Sequence, residues 1–185
     1  MNIFVVNKSP EESAKSLCDK HIVKMVLESA QMISTAHRVL DGWPCERRNP
    51  NGRLVKDWML DDEREDLIYR GHQPNHPCTI WTRQTTANYD WHCEHAMELS
   101  REYTRRYDKV HKVTPILEYL SKNQPENLPV GSLTPFAQAM PEIYKDPENA
   151  VIAYRNYYIN TKARFAKWKM GNIPIWFKES CIDNV

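Results

Sequence analysis

Glycine is scarce in this chain, with five residues among 185, while prolines number twelve. That balance argues against a hairpin-rich β-protein and for helices punctuated by prolines. The five cysteines, Cys18, Cys45, Cys78, Cys93 and Cys181, are odd in number and irregularly spaced, with no C-x-x-C. A disulfide framework is therefore not expected, and a reducing, cytoplasmic setting is. No apolar run approaches the roughly 20 residues of a membrane span. Ile3-Phe4-Val5-Val6 is too short for a signal h-region and lacks a basic flank. Charge of one sign is also lacking: 25 Lys and Arg against 24 Asp and Glu leave +1, which speaks against indiscriminate nucleic-acid binding. G-x-G-x-x-G, P-loop and G-x-S-x-G motifs are absent, so nucleotide-dependent transfer and serine hydrolysis have no support.

What is present is a good supply of core: 41% hydrophobic residues, including six Trp, nine Tyr and four Phe. The pattern predicts a mostly α, compact single domain over 1–185, with long N-terminal, middle and C-terminal helices. Ile3 to Val6 reads as a short N-terminal strand. Ser9-Pro10-Glu11-Glu12 is a capping box with proline at the first helical position, and its helix is expected to run to about Leu40. Residues 43–77 form an elaborated segment: loop from Trp43 to Arg53, then a helix through Leu54, Val55, Trp58, Met59, Leu67 and Ile68. Thr85 to Tyr107 predicts a long helix with Trp91, Ala96, Leu99 and Tyr103 inward. Short helices and turns follow from Val113 to Pro147. The last helix is expected to be capped by Asp146, opened by Pro147 and closed at Gly171.

Two stripes carry candidate chemistry. On the first long helix, apolar residues cover well over half the circumference at 100° per residue. The remaining arc carries Lys20, His21, Lys24, Glu28, Gln31, Thr35 and Arg38. Glu28 lies about two turns from His21, placing a candidate base beside a candidate proton shuttle or phosphate contact. The plain alternative is a solvated face held by Lys24–Glu28 pairing at i,i+4. On the last long helix, Tyr154, Tyr157, Tyr158, Thr161, Phe165 and Trp168 share a face beside a line of Arg155, Lys162 and Lys169. Aromatics next to cations suit stacked bases and phosphates, although such a face also serves as ordinary core. A zinc site built from His76, Cys78, His92 and His95 lacks the paired short spacings of structural zinc, and no metal or other cofactor is expected.

Asp19-x-His21 followed by Glu28 near the N-terminus, an aromatic entry at Trp81 to Trp91 leading into a long helix, and a closing Pro174-Ile175-Trp176-Phe177-Lys178 occur in one order. In this the chain resembles the phage pyrimidine-dimer DNA glycosylases of the endonuclease V type. The resemblance implies a helical enzyme that excises a damaged or modified base from double-stranded DNA and nicks the strand as an AP lyase. Its nucleophile would be the N-terminal α-amine, which ordinarily titrates near about 8, with a glutamate assisting. Mapped here, the catalytic group is Glu28, with His21 as a phosphate or sugar contact and the amine of Met1 as nucleophile. Asn2 follows Met1, a poor context for methionine removal. The family's arginines before and after the glutamate are Leu27 and Gln31 here, leaving Lys24, Arg38 or Arg83 to replace them. Arg155, Lys162, Lys169, Trp176 and Lys178 complete the expected DNA-contacting set. The aromatics near Trp81 and Trp176 are candidates to stack on the base or fill its gap. The competing reading is a non-catalytic phage module that binds nucleic acid or a host protein on the same scaffold. Neither reading specifies an oligomeric state.

Overall fold

A computed structural model of the chain describes residues 1–182 and is mostly helical. The elements are α1 (Pro10–Lys15), α2 (Asp19–Asp41), β1 (Trp43–Arg48), β2 (Leu54–Met59), α3 (Arg64–Leu67), α4 (Pro77–Thr82), α5 (Thr86–Tyr107) and α6 (Thr114–Lys122). A 3-10 turn at Glu142–Tyr144, α7 (Ala150–Lys162), a second 3-10 turn at Ala163–Phe165 and α8 (Ile175–Ile182) complete the chain. The core forms where α2 packs on α5, with α1, α4 and α6 against the same pair. Trp91, Ala96 and Leu99 of α5 are buried as their spacing predicts. Thr85 caps that helix by accepting from the Asn88 N–H. No helix among the described residues is long and apolar enough to cross a membrane.

The expected first helix is two helices. Ser9 caps α1 with Pro10 in the first turn, but the helix stops at Lys15 and α2 begins at Asp19. The freed backbone groups at the break find distant partners, as buried polar groups must. The Arg106 guanidinium donates to the carbonyls of Lys15 at 3.0 Å and Leu17 at 2.9 Å. The Trp168 indole donates to the Ser16 carbonyl at 3.2 Å, and the Cys18 N–H donates to the Tyr158 hydroxyl at 2.8 Å.

Ile3 to Val6 is buried chain without strand pairing. Its polar groups are met by side chains. The Val6 N–H donates to Ser13 Oγ, Ser13 Oγ donates to the Phe4 carbonyl, and Arg155 Nε donates to the Val6 carbonyl. At the other end, Asn149 rather than Asp146 caps α7, accepting from the Val151 and Ile152 N–H groups. Asp146 instead organises the turn before it, accepting from the Glu148 and Asn149 N–H groups. The helix ends at Lys162, not at Gly171.

The largest departure lies at 43–71, expected as loop and helix. Trp43–Arg48 and Leu54–Met59 form an antiparallel hairpin with Trp43 opposite Met59 and Arg48 opposite Leu54. Leu54, Val55 and Met59, expected on a helix, are exposed strand residues. The hairpin is held to the end of α2 by charge. Arg38, fully buried, spends its guanidinium on the carbonyls of Tyr69 (2.6 Å) and Trp58 (2.9 Å) and on the Glu65 carboxylate (2.8 Å). It cannot also face DNA, which corrects the expectation placed on it. Glu65 further binds Arg47, Arg70 and the Leu60 N–H. These partners hold its carboxyl down at about 2 against the opposing effect of burial.

Removing one member of such a network strands the other. Glu65→Ala leaves the Arg38 charge buried and uncompensated, and is expected to cost about 3–5 kcal/mol. A lowered midpoint in urea unfolding checks this.

Buried histidines make a second prediction. Burial, reinforced by the nearby Arg64 charge, lowers His37 to about 4, and burial alone lowers His95 to about 3. His92 is lowered in the same direction and for the same first cause. All three fold neutral and gain a proton more readily when unfolded. The stability they contribute is complete above the ordinary histidine pKa of about 6.5 and falls as pH drops towards 4. The loss approaches about 1.4 kcal/mol per pH unit per histidine. Urea titrations at pH 7 and pH 5 should show steep acid destabilisation.

Candidate active site

The open half of the α2 polar arc forms one wall of a cleft of about 530 Å³, to which Lys20, His21, Lys24 and Glu28 all contribute. The start of the chain forms its floor. The Asn2 N–H donates to Glu28 Oε2 at 3.0 Å, and the α-amine of Met1 lies 4.0 Å from the same oxygen. Lys24 Nζ reaches the other oxygen, Glu28 Oε1, at 3.1 Å. The glutamate thus joins two amines and a backbone N–H while its side chain remains only 10% exposed. The first peptides are fixed by more than Glu28. Asn2 Nδ2 donates to the Ala139 carbonyl at 2.7 Å, and Asn2 Oδ1 accepts the Phe4 N–H at 3.1 Å.

Phe4 itself sits at φ 55°, the left-handed region that a bulky side chain rarely enters. Such a conformation costs on the order of 1–3 kcal/mol and persists only where surrounding contacts over-determine it. Here the Asn2 and Ser13 hydrogen bonds do so, and the ring is delivered to the cleft. It stacks on His21, with centroids 4.3 Å apart and planes inclined by 18°. Tyr157 lies nearly parallel to Phe4, with centroids 6.3 Å apart. Phe165 meets His21 edge-on at 5.7 Å.

Cations border these rings. Lys162 Nζ lies 4.5 Å from the Tyr157 centroid, and Lys20 Nζ lies 4.9 Å from that of Phe165. The cleft therefore pairs flat apolar faces with three lysines, a combination that suits a base and its phosphates.

His21 is a neutral group in this setting. Burial, helped by Lys162, Lys24 and Lys20, lowers it to about 3. Its Nδ1 lies 2.8 Å from the Tyr158 hydroxyl, whose oxygen already accepts the Cys18 N–H. The tyrosine therefore donates to Nδ1, and the imidazole proton is assigned to Nε2. His21 can donate a hydrogen bond to a phosphate or sugar oxygen, but not as an imidazolium.

His76 joins the site without having been expected there. It caps α4, its Nδ1 accepting the Cys78 N–H at 3.2 Å, and its ring lies close enough to the Met1 backbone and terminal amine for both to act on its titration. Burial and then the neighbouring terminal ammonium lower its pKa. The zinc alternative had grouped it with Cys78, His92 and His95. Among the described residues, no three His, Cys, Asp or Glu side chains converge as metal ligands.

Of the expected site residues, Met1, His21, Lys24, Glu28 and Lys162 line the one cleft. Others go elsewhere. Arg155 donates to the Val6 carbonyl and lies over Trp176, which packs on Tyr158 and Phe177. Lys169 Nζ lies over the Tyr107 ring. Arg83 is at the C-terminal end of α4, and Lys178 is exposed on α8. Trp81 is buried at 2% exposure against Trp91 and Phe136, so it is core and not a base-stacking residue. The sequence had a partial signal for Tyr157 and Phe165, on the aromatic face of the last long helix. It had none for Asn2 or Phe4, whose roles depend on where the chain start lands.

The family model for pyrimidine dimer DNA glycosylase matches residues 1–115, a span that contains Met1, His21, Lys24, Glu28 and His76. No curated protein and no solved structure matches the chain. With more than half its length matched, and with the resemblance of its motifs in the same direction, the chain belongs to the pyrimidine dimer DNA glycosylase family.

Proposed function

We propose that this protein excises a damaged or modified base from double-stranded DNA and then cleaves the strand as an AP lyase, with its N-terminal amine as nucleophile and Glu28 as the assisting carboxylate. The observation that carries the reading is the convergence of the terminal amine, the Asn2 N–H and Lys24 on one largely buried glutamate at the floor of a cationic, aromatic cleft. In keeping with the resemblance to phage enzymes, its setting is DNA repair or base processing in the cytoplasm of a host cell.

The chemistry needs the amine in its neutral form, and Glu28 is placed to take its proton. The nitrogen lone pair forms a bond to the sugar C1′ as the glycosidic bond breaks, and the base leaves with the bonding electrons and gains a proton. The nitrogen sheds a proton, and opening of the C1′–O4′ bond, with O4′ taking up a proton, then gives a protonated imine. Glu28, beside the nitrogen, stabilises that positive charge. Loss of a C2′ proton expels the 3′ phosphate by β-elimination, and water hydrolyses the imine to restore the amine. To reach the cleft the nucleotide must leave the stack, at a cost of a few kcal/mol that is smallest for damaged pairs. The faces of Tyr157 and Phe165 offset this by stacking, while Lys20 and Lys162 meet the phosphates. The neutral His21 donates to the sugar or phosphate.

Borohydride should trap a covalent protein–DNA adduct on ultraviolet-irradiated duplex and not on undamaged duplex. Glu28→Gln should reduce trapping by a factor of about 10² or more while retaining DNA binding. Retained trapping in that variant would remove Glu28 from the chemistry, and binding without any adduct would favour a non-catalytic module.

His76 acts through Met1 as a positioning residue. His76→Ala should lower the trapping rate at saturating DNA with little change in the DNA concentration giving half-maximal rate. Equal loss from saturating rate and affinity would indicate general disruption instead.

A further inference from the structure

The polar arc of α2 has two fates. Its first half, Lys20 to Glu28, opens into the cleft, while its second half is a socket for residues 58–72. Thr35 Oγ1 accepts the His72 N–H at 3.0 Å and Arg38 holds the carbonyls of Trp58 and Tyr69. The β1–β2 hairpin therefore springs from the same edge of the helix that carries Glu28. Arg38 lies ten residues beyond Glu28, or about 15 Å along the axis.

We infer that the tip of this hairpin is a second DNA-contacting site, laying Arg48, Arg53 and Lys56 against the phosphates of a duplex whose target nucleotide occupies the cleft. The inference rests on the reading of the protein as a DNA-acting enzyme, and it concerns a segment that the glycosylase chemistry does not use.

A two-stranded hairpin has little stability of its own in water, and this one buries little of itself. Its base is nevertheless riveted. Buried Asp57 takes Arg47 Nε at 3.1 Å and the Gly71 N–H at 3.0 Å. A Cβ on Gly71 would lie 2.8 Å from the Asp57 carboxylate, so the close approach requires glycine. The tip is equally ordered. Asn49 Oδ1 accepts the N–H groups of Asn51 and Arg53, and Gly52 adopts φ +78° to close the turn. Arg48 donates to the Gly52 carbonyl at 2.8 Å. Such order in a segment that contributes so little to the core fits a surface built to be presented.

Charge identifies what it is presented to. Arg47, whose side chain reaches back from the outer part of the hairpin to Asp57 and Glu65, and Arg64 and Arg70 beyond the hairpin are all consumed by carboxylates. Arg48 and Arg53 at the exposed tip, and exposed Lys56 two positions further along β2, form no ion pair among the described residues. The one acid beside them is Glu46, across the register from Lys56. Exposed Asp61, Glu63 and Asp66 follow the hairpin at its base, so the positive end is the outer end. This polarity turns the tip, and not the base, towards a polyanion. Leu54, 51% exposed on the same face as Arg48 and Lys56, offers apolar contact to sugars or to thymine methyl groups. A two-stranded ribbon also has the dimensions to enter the major groove.

The test is equilibrium binding of the full chain to lesion-containing duplexes of about 30 and about 10 base pairs, the shorter being about one helical turn. Wild type is compared with a variant carrying Arg48→Gln, Arg53→Gln and Lys56→Gln. These side chains are exposed, so the variant should fold, which circular dichroism verifies. Each phosphate contact contributes about 0.9 to the slope of log K against log salt. On the longer duplex the variant should lose about 2–3 from that slope and bind at least tenfold more weakly at low salt. On the shorter duplex, which does not reach the tip, the two proteins should bind alike. Equal affinity and slope on the longer duplex would overturn the inference, as would failure of the wild type to bind DNA. If binding shows the expected loss but no base is ever excised, the hairpin site stands and the catalytic reading falls.

Discussion

Everything in the candidate site depends on one carboxylate receiving the beginning of the chain. Glu28 sits on a helix packed around much of its circumference, and its own side chain is largely buried against the cleft. The first two residues come to it: the Asn2 N–H on Oε2, with the α-amine beyond it, and Lys24 on Oε1. Removing a charge of this kind from water is costly, and its partners make the location tolerable. The strained turn at Phe4, the Asn2 side-chain bonds and the His76 contact all serve the same end. They keep a chain terminus, ordinarily the most mobile part of a protein, in one place.

The same helix organises the remainder. Its polar arc spans 20–38, and the fold uses the two ends for opposite purposes. Around Glu28 the arc stays open, bordered by lysines and rings from α7 and the turn after it. Around Arg38 it is sealed by the hairpin base and the run from Ile68 to His72. The arginine that stood as a DNA contact in the sequence became the rivet of an inserted element. Its charge is spent on Glu65 and four carbonyls, so the cationic character of the cleft comes from Lys20, Lys24 and Lys162.

The sequence disclosed what depends on local rules. The Ser9 cap of α1, the long α5 with its Thr85 cap, and the arc joining His21, Lys24 and Glu28 follow from short-range chemistry and helical period. What it hid was set by distant partners. The break at Ser16 to Cys18 is stabilised by Arg106, Trp168 and Tyr158, each more than 85 residues away. The spacing of Leu54, Val55, Trp58 and Met59 imitates a helix, but Asn51-Gly52 and the buried Asp57 direct a hairpin. No pattern announces that Asn2 will lie on Glu28, because nothing local links a chain terminus to a helix 26 residues on. His76 was noticed as a metal ligand for the same reason: its neighbours in sequence are not its neighbours in space.

Two kinds of amine stand beside Glu28, and the account commits to one of them. Lys24 Nζ, at 3.1 Å, is nearer the carboxylate than the terminal amine at 4.0 Å, yet it is assigned to charge pairing and the terminus to bond formation. Peptide mapping of the borohydride-reduced adduct by mass spectrometry separates them. The account predicts the sugar remnant on the α-nitrogen of the N-terminal peptide. A remnant on Lys24 Nζ, with the N-terminal peptide unmodified, would contradict it.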